Sequence, residues 1–189
     1  MLIIRFIRIL LIFLLFNNFS ILKADTKKNI IENINNSESI KFDFVQITNN
    51  KEETGICYLK RPHYLKCEYN DKNQKEIIVN RKQLVIYHKR YEKIYNYPLS
   101  KSYFSEILNK QKFSEMIAKG TVRKKDDVFL VNCFLEEKGE IVFYFSSKNF
   151  DLKGWDLINL NGSKIIFKIL SSVKNSAIEK TFFDIPQVN

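Results

Sequence analysis

The segment from residue 55 to residue 69 alternates between apolar and polar side chains on both sides of an Arg-Pro pair. This period of two places successive side chains on opposite faces of a β-sheet, so the segment predicts two strands joined at a corner. Proline suits the corner, because its ring fixes φ and it has no N–H to donate to a neighbouring strand. One face of the predicted hairpin is apolar, with Cys57, Leu59, Leu65, Cys67 and Tyr69, and the other carries Tyr58, Lys60, Lys66 and Glu68.

Arg61 precedes Pro62 at this corner. A guanidinium group keeps its charge in proteins, so an Arg that points toward an apolar sheet face must find hydrogen-bond acceptors there. The alternative is an exposed Arg61 that stacks on the ring of Tyr64. The pattern of the segment alone is compatible with both arrangements.

The chain has three cysteines, and in an oxidising compartment an odd number leaves at least one thiol unpaired. Cys57 and Cys67 are symmetric about Pro62, so a disulfide across the hairpin is one alternative. The favoured interpretation is that they are small buried apolar residues, because Cys behaves as a buried hydrophobe. The two histidines, His63 and His88, are isolated and there is no CxxC motif, so the sequence predicts no metal site. It also lacks a nucleophile motif and a Gly-rich phosphate loop, and we therefore expect no enzyme activity.

Residues 1–24 have the pattern of a secretory signal peptide. Arg5 and Arg8 precede the apolar run of residues 9–16, and Ala24 stands where a signal peptidase would cut. An uncleaved membrane anchor is the alternative, but the run is well short of the about 20 apolar residues that span a bilayer. We expect residues 25–189 to form one domain in the periplasm.

The chain has a basic surplus. Its formal net charge is +10, and loss of residues 1–24 removes three cations and no acids, which leaves +7. In an exported protein such a surplus favours anionic membrane surfaces or acidic protein partners over nucleic acid. A general enrichment in Lys and Asn across the source proteome would produce the same surplus.

Hydrophobic periodicity predicts a helix, about six strands, a helical insert and about five further strands. Helical spacing marks residues 26–36 and residues 100–119, with Gly120 as the C-cap of the insert. After the insert, strands are predicted over residues 128–135, 141–145, 155–160, 165–170 and 178–185. A long antiparallel meander of this kind curls, so the predicted fold is α+β: an incomplete, strongly curved antiparallel β-barrel covered by the helical insert.

Aromatic residues are abundant, with sixteen Phe and nine Tyr. Aromatic stripes on strands ordinarily pack in a solid core. A curved sheet of about ten strands, however, encloses more volume than one short helix and one insert fill, and barrels of this size commonly hold a ligand. The sequence thus favours a ligand cavity and leaves a packed core as the alternative.

Several short motifs resemble the family of periplasmic outer-membrane lipoprotein carriers, the LolA type. They are the Phe-x-Gln pattern of residues 44–46, the Gly-x-x-x-Leu-Lys-Arg-Pro run of residues 55–62, the Pro-Leu-Ser of residues 98–100 and the Leu-x-x-Trp of residues 152–155. One departure is Arg81-Lys82, where many relatives have Asp-Gly, and this substitution predicts a wider turn.

The resemblance implies a helical lid over a hydrophobic cavity. It implies that Arg61, anchored by Pro62, latches the lid by hydrogen bonds to backbone carbonyls of the insert. The residues expected to line an acyl-chain cavity are Phe42, Phe44, Leu59, Leu65, Tyr69, Phe104, Ile107 and Leu108.

The resemblance also implies a function and partners. A carrier of this type accepts acylated lipoproteins from an inner-membrane ABC transporter and delivers them to an outer-membrane acceptor lipoprotein, as a monomer and without nucleotide, other cofactor or nucleic acid. The same half-barrel also serves periplasmic sensors of lipids or lipoproteins, which is the alternative function.

Overall fold

The computed structural model of the protein describes residues 25–135 and 137–187. The predicted signal peptide, residues 1–24, lies outside the described residues. Within the described ranges, no helix combines the length and the apolar character that crossing a bilayer would require.

Eleven antiparallel strands form one sheet in the order β6-β5-β4-β3-β2-β1-β11-β10-β9-β8-β7, so that β6 and β7 lie at its two ends. This confirms the predicted incomplete antiparallel barrel. The strands are β1 (Ser39–Thr48), β2 (Lys51–Lys60), β3 (Tyr64–Tyr69), β4 (Lys75–Asn80), β5 (Gln83–His88), β6 (Lys93–Pro98), β7 (Thr121–Lys125), β8 (Val128–Leu135), β9 (Gly139–Ser146), β10 (Leu152–Ile158) and β11 (Lys164–Lys174).

Helices occur where the helical periods predicted them. Helix α1 includes residues 25–35, and the insert between β6 and β7 contains α2 (Phe104–Ile107) and α3 (Lys110–Lys119). The Asn109 side chain caps α3 by accepting a hydrogen bond of 3.0 Å from the Lys112 N–H. Gly120 is the C-cap, as predicted, and a Cβ at this position would lie 2.8 Å from Val131 Cγ1. Short 3-10 helices are Lys89–Tyr91, Leu99–Lys101 and Lys180–Phe183.

Strand register aligns the apolar side chains of the concave face in rows that run across the sheet. One row contains Phe42, Cys57, Cys67, Ile77, Ile86 and Tyr95, and the next contains Ile40, Leu59, Leu65, Val79, Leu84 and Tyr97. Each row takes one residue from each of β1 to β6, because opposed residues of paired antiparallel strands point to the same face. The alternation of the Arg-Pro hairpin is thus continued by its neighbours.

The predicted Arg-Pro hairpin forms between β2 and β3, and a later hairpin of the chain joins β4 and β5. Cys57 and Cys67 are direct cross-strand partners and are joined by a disulfide, with a Cα–Cα distance of 4.0 Å, so the favoured interpretation of two buried apolar cysteines without a disulfide is wrong. Asn80 pairs directly with Gln83, so Arg81-Lys82 is a two-residue turn. The predicted wider turn is wrong, because Arg81 itself adopts a positive φ of 57°.

The prediction of strands after the insert is wrong in two places. Residues 178–185 contain no strand and instead include the 3-10 helix, in which Phe182 and Phe183 pack against Tyr58 and Tyr64 on the outer face of the sheet. Strand β7 was not predicted, since Val122 is its one buried residue and the others are exposed and mostly basic.

Gly55 allows close packing at the centre of the sheet. It pairs with Phe44 across β1 and β2, and the Phe44 ring lies over it. A Cβ at Gly55 would approach the carbonyl oxygen of Glu68 to 2.1 Å and the Phe44 ring to 2.8 Å. Real Cβ atoms do not tolerate such distances, so the glycine of the family-like motif is required by packing.

Candidate functional site

An apolar cavity of about 200 Å³ lies between the concave face of the sheet and the helical insert. Six of the predicted cavity residues line it. Four come from the sheet and two from α2: Phe42, Leu59, Leu65, Tyr69, Phe104 and Ile107. Because the insert supplies part of the lining, it covers the cavity as a lid.

The other two predicted residues lie elsewhere. The Phe44 side chain is 1% exposed and packs beneath the lining, stacked on Phe167 at 4.8 Å and edge-on to Tyr69 at 5.0 Å between ring centroids. Leu108 is buried and borders a separate depression between the lid and the corner at Pro62 and His63. The period of apolar residues predicts the face on which a side chain lies. It does not predict whether tertiary packing places that side chain in the lining or beneath it.

Further lining residues come from the second half of the sheet. Trp155 and Phe167 are direct cross-strand partners whose rings stack with centroids 4.2 Å apart. Leu157 and Ile165 pair on the same two strands. Alternating apolar residues within the predicted strands 155–160 and 165–170 are the signal that could have found them.

Arg61 joins the corner of the hairpin to the lid. Its side chain is 7% exposed, and Nη1 donates hydrogen bonds to the carbonyl oxygens of Ile107 and, at 3.1 Å, of Leu108. The guanidinium carbon lies 5.6 Å from the centroid of the Phe113 ring on α3. The alternative of an exposed Arg61 is therefore wrong.

The guanidinium group of Arg61 is a buried cation whose hydrogen bonding is incomplete. Burial lowers the pKa of Arg61 to about 10, against a smaller opposing effect of Glu38, so the group stays protonated at neutral pH. Among the described residues, Nε of Arg61 has no hydrogen-bond partner. Carbonyl contacts to a buried cation are strong but compensate only part of its lost hydration. This balance suits a latch that can open.

A polar cluster contributes to the opposite part of the lining. Lys174 donates to Asp151 and, at 2.7 Å, to Asn33 of α1, and Asn33 donates to Asp151 at 3.2 Å. Burial acts to raise the pKa of Asp151, but the hydrogen bonds from Lys174 and Asn33 outweigh it and lower that pKa. The cluster ties α1 to the sheet beside the cavity.

Gln46 and Tyr69 form a second polar contact of the lining, in which the Tyr69 hydroxyl donates to Gln46 Oε1 at 2.9 Å. Burial raises the pKa of Tyr69, so its hydroxyl stays a donor at physiological pH. In residues 25–135 and 137–187 there is no group of three or more His, Cys, Asp and Glu side chains that could hold a metal ion.

The small volume of the cavity indicates that the lid is closed. Sites for small ligands measure about 300–1,000 Å³, so a cavity of about 200 Å³ is below the usual range. Several long acyl chains do not fit in this space. The described arrangement is a closed, contracted form, and occupation by a large amphiphile requires the lid to move.

The family model for the outer membrane lipoprotein carrier protein LolA matches residues 35–186. The chain belongs to the LolA family. The match includes all eleven strands, the lid and the Arg61 corner, and it supports the resemblance inferred from the short motifs. No curated protein sequence matches the chain.

Solved structures with the same fold are distant in sequence from this LolA family member. An uncharacterized conserved protein from Thermus thermophilus superposes with a TM-score of 0.55 at 8% identity, covering 87% of this chain and 94% of that one. A DUF1329 family protein from Desulfovibrio piger gives a TM-score of 0.54 at 9% identity, with coverages of 85% and 96%. The MucA/MucB complex of Pseudomonas aeruginosa gives 0.51 at 12% identity, with coverages of 87% and 61%.

Proposed function

We propose that this protein is a periplasmic carrier that shields the acyl chains of lipoproteins while they pass from the inner to the outer membrane. The observation that carries the proposal is the apolar cavity closed by a lid through Arg61. Membership of a lipoprotein-carrier family supports it. In this proposal Arg61 and Pro62 form the lid latch, and the acyl-chain site consists of Phe42, Leu59, Leu65, Tyr69, Phe104 and Ile107.

The physical need for such a carrier comes from the cost of exposing acyl chains to water. Each exposed methylene costs about 0.8 kcal/mol, so several long chains cost tens of kcal/mol together. A diffusing lipoprotein therefore requires a protein that covers its chains. The aromatic and aliphatic lining of the cavity is chemically suited to this cover.

Release of the cargo is the second requirement. In the closed form the latch hydrogen bonds of Arg61 are made, and an incoming acyl chain has to break them. The free energy spent on opening is subtracted from the binding free energy of the cargo. A carrier that spends free energy on lid opening binds its cargo more weakly than an acceptor that has no lid to open. Transfer then proceeds toward the acceptor without a nucleotide or other cofactor.

The partners in this proposal are an inner-membrane ABC transporter that releases lipoproteins and an outer-membrane acceptor lipoprotein. The protein itself performs no chemical step in the transfer. Residues 1–24 would direct export to the periplasm, and the mature chain would act as a monomer.

A release assay tests the proposal. Inner-membrane vesicles that contain the transporter and a labelled lipoprotein are incubated with the mature protein and ATP, and the soluble fraction is analysed by size exclusion. We expect a soluble equimolar complex whose formation requires ATP. Failure to solubilise any lipoprotein, with the folded protein and an active transporter present, would contradict the carrier function.

A sensor of lipids or lipoproteins is the second candidate. What favours it is that MucB, a protein with the same fold, is found in a complex with another protein, MucA; this chain covers 61% of the matched chain of that complex. A sensor would bind acylated ligands but would remain with a signalling partner and would not pass its ligand to an acceptor. Transfer from the soluble complex to outer-membrane vesicles distinguishes the two functions.

A further inference from the structure

The apolar row on the concave face continues beyond the closed cavity. Cys67 and Ile77 of this row line the cavity, and the same row proceeds through Ile86 on β5 to Tyr95 on β6. Ile77 and Ile86 are only partly buried, and the Tyr95 side chain is 47% exposed. A continuous apolar surface therefore extends from inside the cavity to the open edge of the sheet.

Tyr97 widens this surface at the edge. It is 48% exposed, lies two residues from Tyr95 on the same face of β6, and pairs with Leu84 of the neighbouring row. Single exposed aromatic residues are common on protein surfaces and need no explanation. Tyr95 and Tyr97 differ from such single residues, because both lie on the same face of the sheet as the cavity floor. Each of them ends one of the two unbroken apolar rows.

We propose that Ile86, Tyr95 and Tyr97 form a second acyl-chain subsite, called here the edge subsite, which receives the portion of a long chain that the closed cavity does not hold. This inference rests on the proposed function. The occupant is a methylene segment of the same chain whose first part lies in the cavity, because the two surfaces are continuous in register. While the lid is closed, the cavity of about 200 Å³ is too small for a long chain, so part of such a chain then lies outside it.

The chemistry of the edge subsite suits a half-covered chain. A tyrosine ring offers a broad apolar face to methylene groups, while its hydroxyl remains in water. The Tyr95 ring is held edge-on by His88, with centroids 5.7 Å apart, so its orientation is supported from β5. A chain lying on these rings would cover apolar area that the fold leaves exposed.

The experiment measures how affinity depends on chain length. The mature protein is titrated with octyl, decyl, dodecyl and tetradecyl maltoside below their micelle concentrations, by calorimetry. The variant is Tyr95→Ser with Tyr97→Ser. The matched control is Tyr91→Ser, which removes a ring that is 55% exposed but lies in the 3-10 helix outside both rows. Tyr95→Phe with Tyr97→Phe restores the ring faces without the hydroxyl groups.

We expect the double Ser variant to bind octyl maltoside like the wild type and to bind tetradecyl maltoside at least about fivefold more weakly, since partial burial of several methylenes is lost. The Tyr91→Ser and double Phe variants should keep the wild-type dependence on length. An equal loss at all lengths, or no loss at any length, overturns the edge subsite while acyl binding by the cavity stands.

Two other outcomes also overturn the inference. If the wild type binds none of the four ligands, the proposed function fails and the edge subsite fails with it. If size exclusion shows a wild-type dimer that the double Ser variant converts to a monomer, with the length dependence unchanged, the edge is an interface between two copies of the chain.

Discussion

The Arg61 guanidinium donates a hydrogen bond of 3.1 Å to the carbonyl oxygen of Leu108, where α2 ends. The same nitrogen also donates to the preceding carbonyl, of Ile107. Ile107 is the last residue of α2 and Leu108 is its C-cap, so a single side chain from the corner between β2 and β3 holds the junction of the two lid helices. The last carbonyls of a helix carry partial negative charge, which adds to their attraction for a cation.

Substitution Arg61→Leu is expected to loosen the lid. Charge-assisted hydrogen bonds of this kind contribute about 1.5–3 kcal/mol, so opening of the lid should become roughly 10 to 100 times more frequent. Hydrogen exchange of the backbone amides of residues 104–119 measures this opening. Under the carrier proposal, the variant should still accept lipoprotein but transfer it poorly to the acceptor.

The matched control for this prediction is Arg123→Leu, which removes an exposed Arg from the edge strand β7. It should leave exchange in the lid unchanged. Unaltered lid exchange in Arg61→Leu, with wild-type transfer, would show that the hydrogen bonds do not act as a latch.

Substitution by Ala should affect mainly the stability of the fold at Phe44 and mainly acyl binding at Phe104. Phe44 is fully buried beneath the lining, so Phe44→Ala should lower the free energy of unfolding by about 3–5 kcal/mol. Phe104 lines the cavity from the lid and is only partly buried, so Phe104→Ala should weaken acyl binding with a much smaller loss of stability.

Chemical denaturation and binding of an alkyl ligand, measured on both variants, distinguish the two roles. Equal losses of stability would indicate that Phe104 belongs to a packed core. An unchanged affinity in Phe104→Ala would show that α2 does not contribute to the ligand site.

Local patterns were sufficient to predict the Arg-Pro hairpin, the lid and most strands, because the period of the apolar residues decides which face each side chain occupies. They failed at β7, where only Val122 is buried and exposed basic residues dominate an edge strand. They also failed for Phe182 and Phe183, whose partners Tyr58 and Tyr64 lie more than a hundred residues earlier.

Only part of the candidate site was indicated by the sequence. For Arg61 the pattern left a buried and an exposed arrangement open, and only the resemblance to the carrier family indicated hydrogen bonds to the lid. The contact between Lys174 and Asp151 was not predicted, because neither residue belongs to a local apolar pattern and the two lie 23 residues apart in the chain. The separation of Phe44 from the lining depends on tertiary packing.

Asp151 should make the stability of the fold depend on pH in the acid range. Its hydrogen bonds from Lys174 and Asn33 lower the pKa of the folded state below the ordinary 3.8. This contribution is complete above the unfolded-state pKa and is lost as pH falls through the lower folded-state pKa. Wild-type protein should therefore lose stability between about pH 5 and pH 3, whereas Asp151→Asn should lose less over the same interval.

Thermal unfolding at a series of pH values measures this difference. Asp126→Asn removes a carboxylate from an exposed turn and should retain the wild-type acid response. If Asp151→Asn and the wild type lose stability in parallel as the pH falls, the hydrogen bonds that join Asp151 to Asn33 of α1 and to Lys174 of β11 do not stabilise the folded state.

Thiol reactivity should separate the three cysteines. Cys133 is buried and donates to the Met116 carbonyl oxygen at 3.4 Å, and burial raises the pKa of its thiol to about 12. Because the thiolate is the reactive species, the native protein should not react with a thiol reagent at neutral pH. One thiol should react in denaturant and three after reduction, since Cys57 and Cys67 form the disulfide. The Cys133→Ala variant should show no reactive thiol in denaturant before reduction. Three reactive thiols in denatured, unreduced wild-type protein would contradict the disulfide on the floor of the cavity.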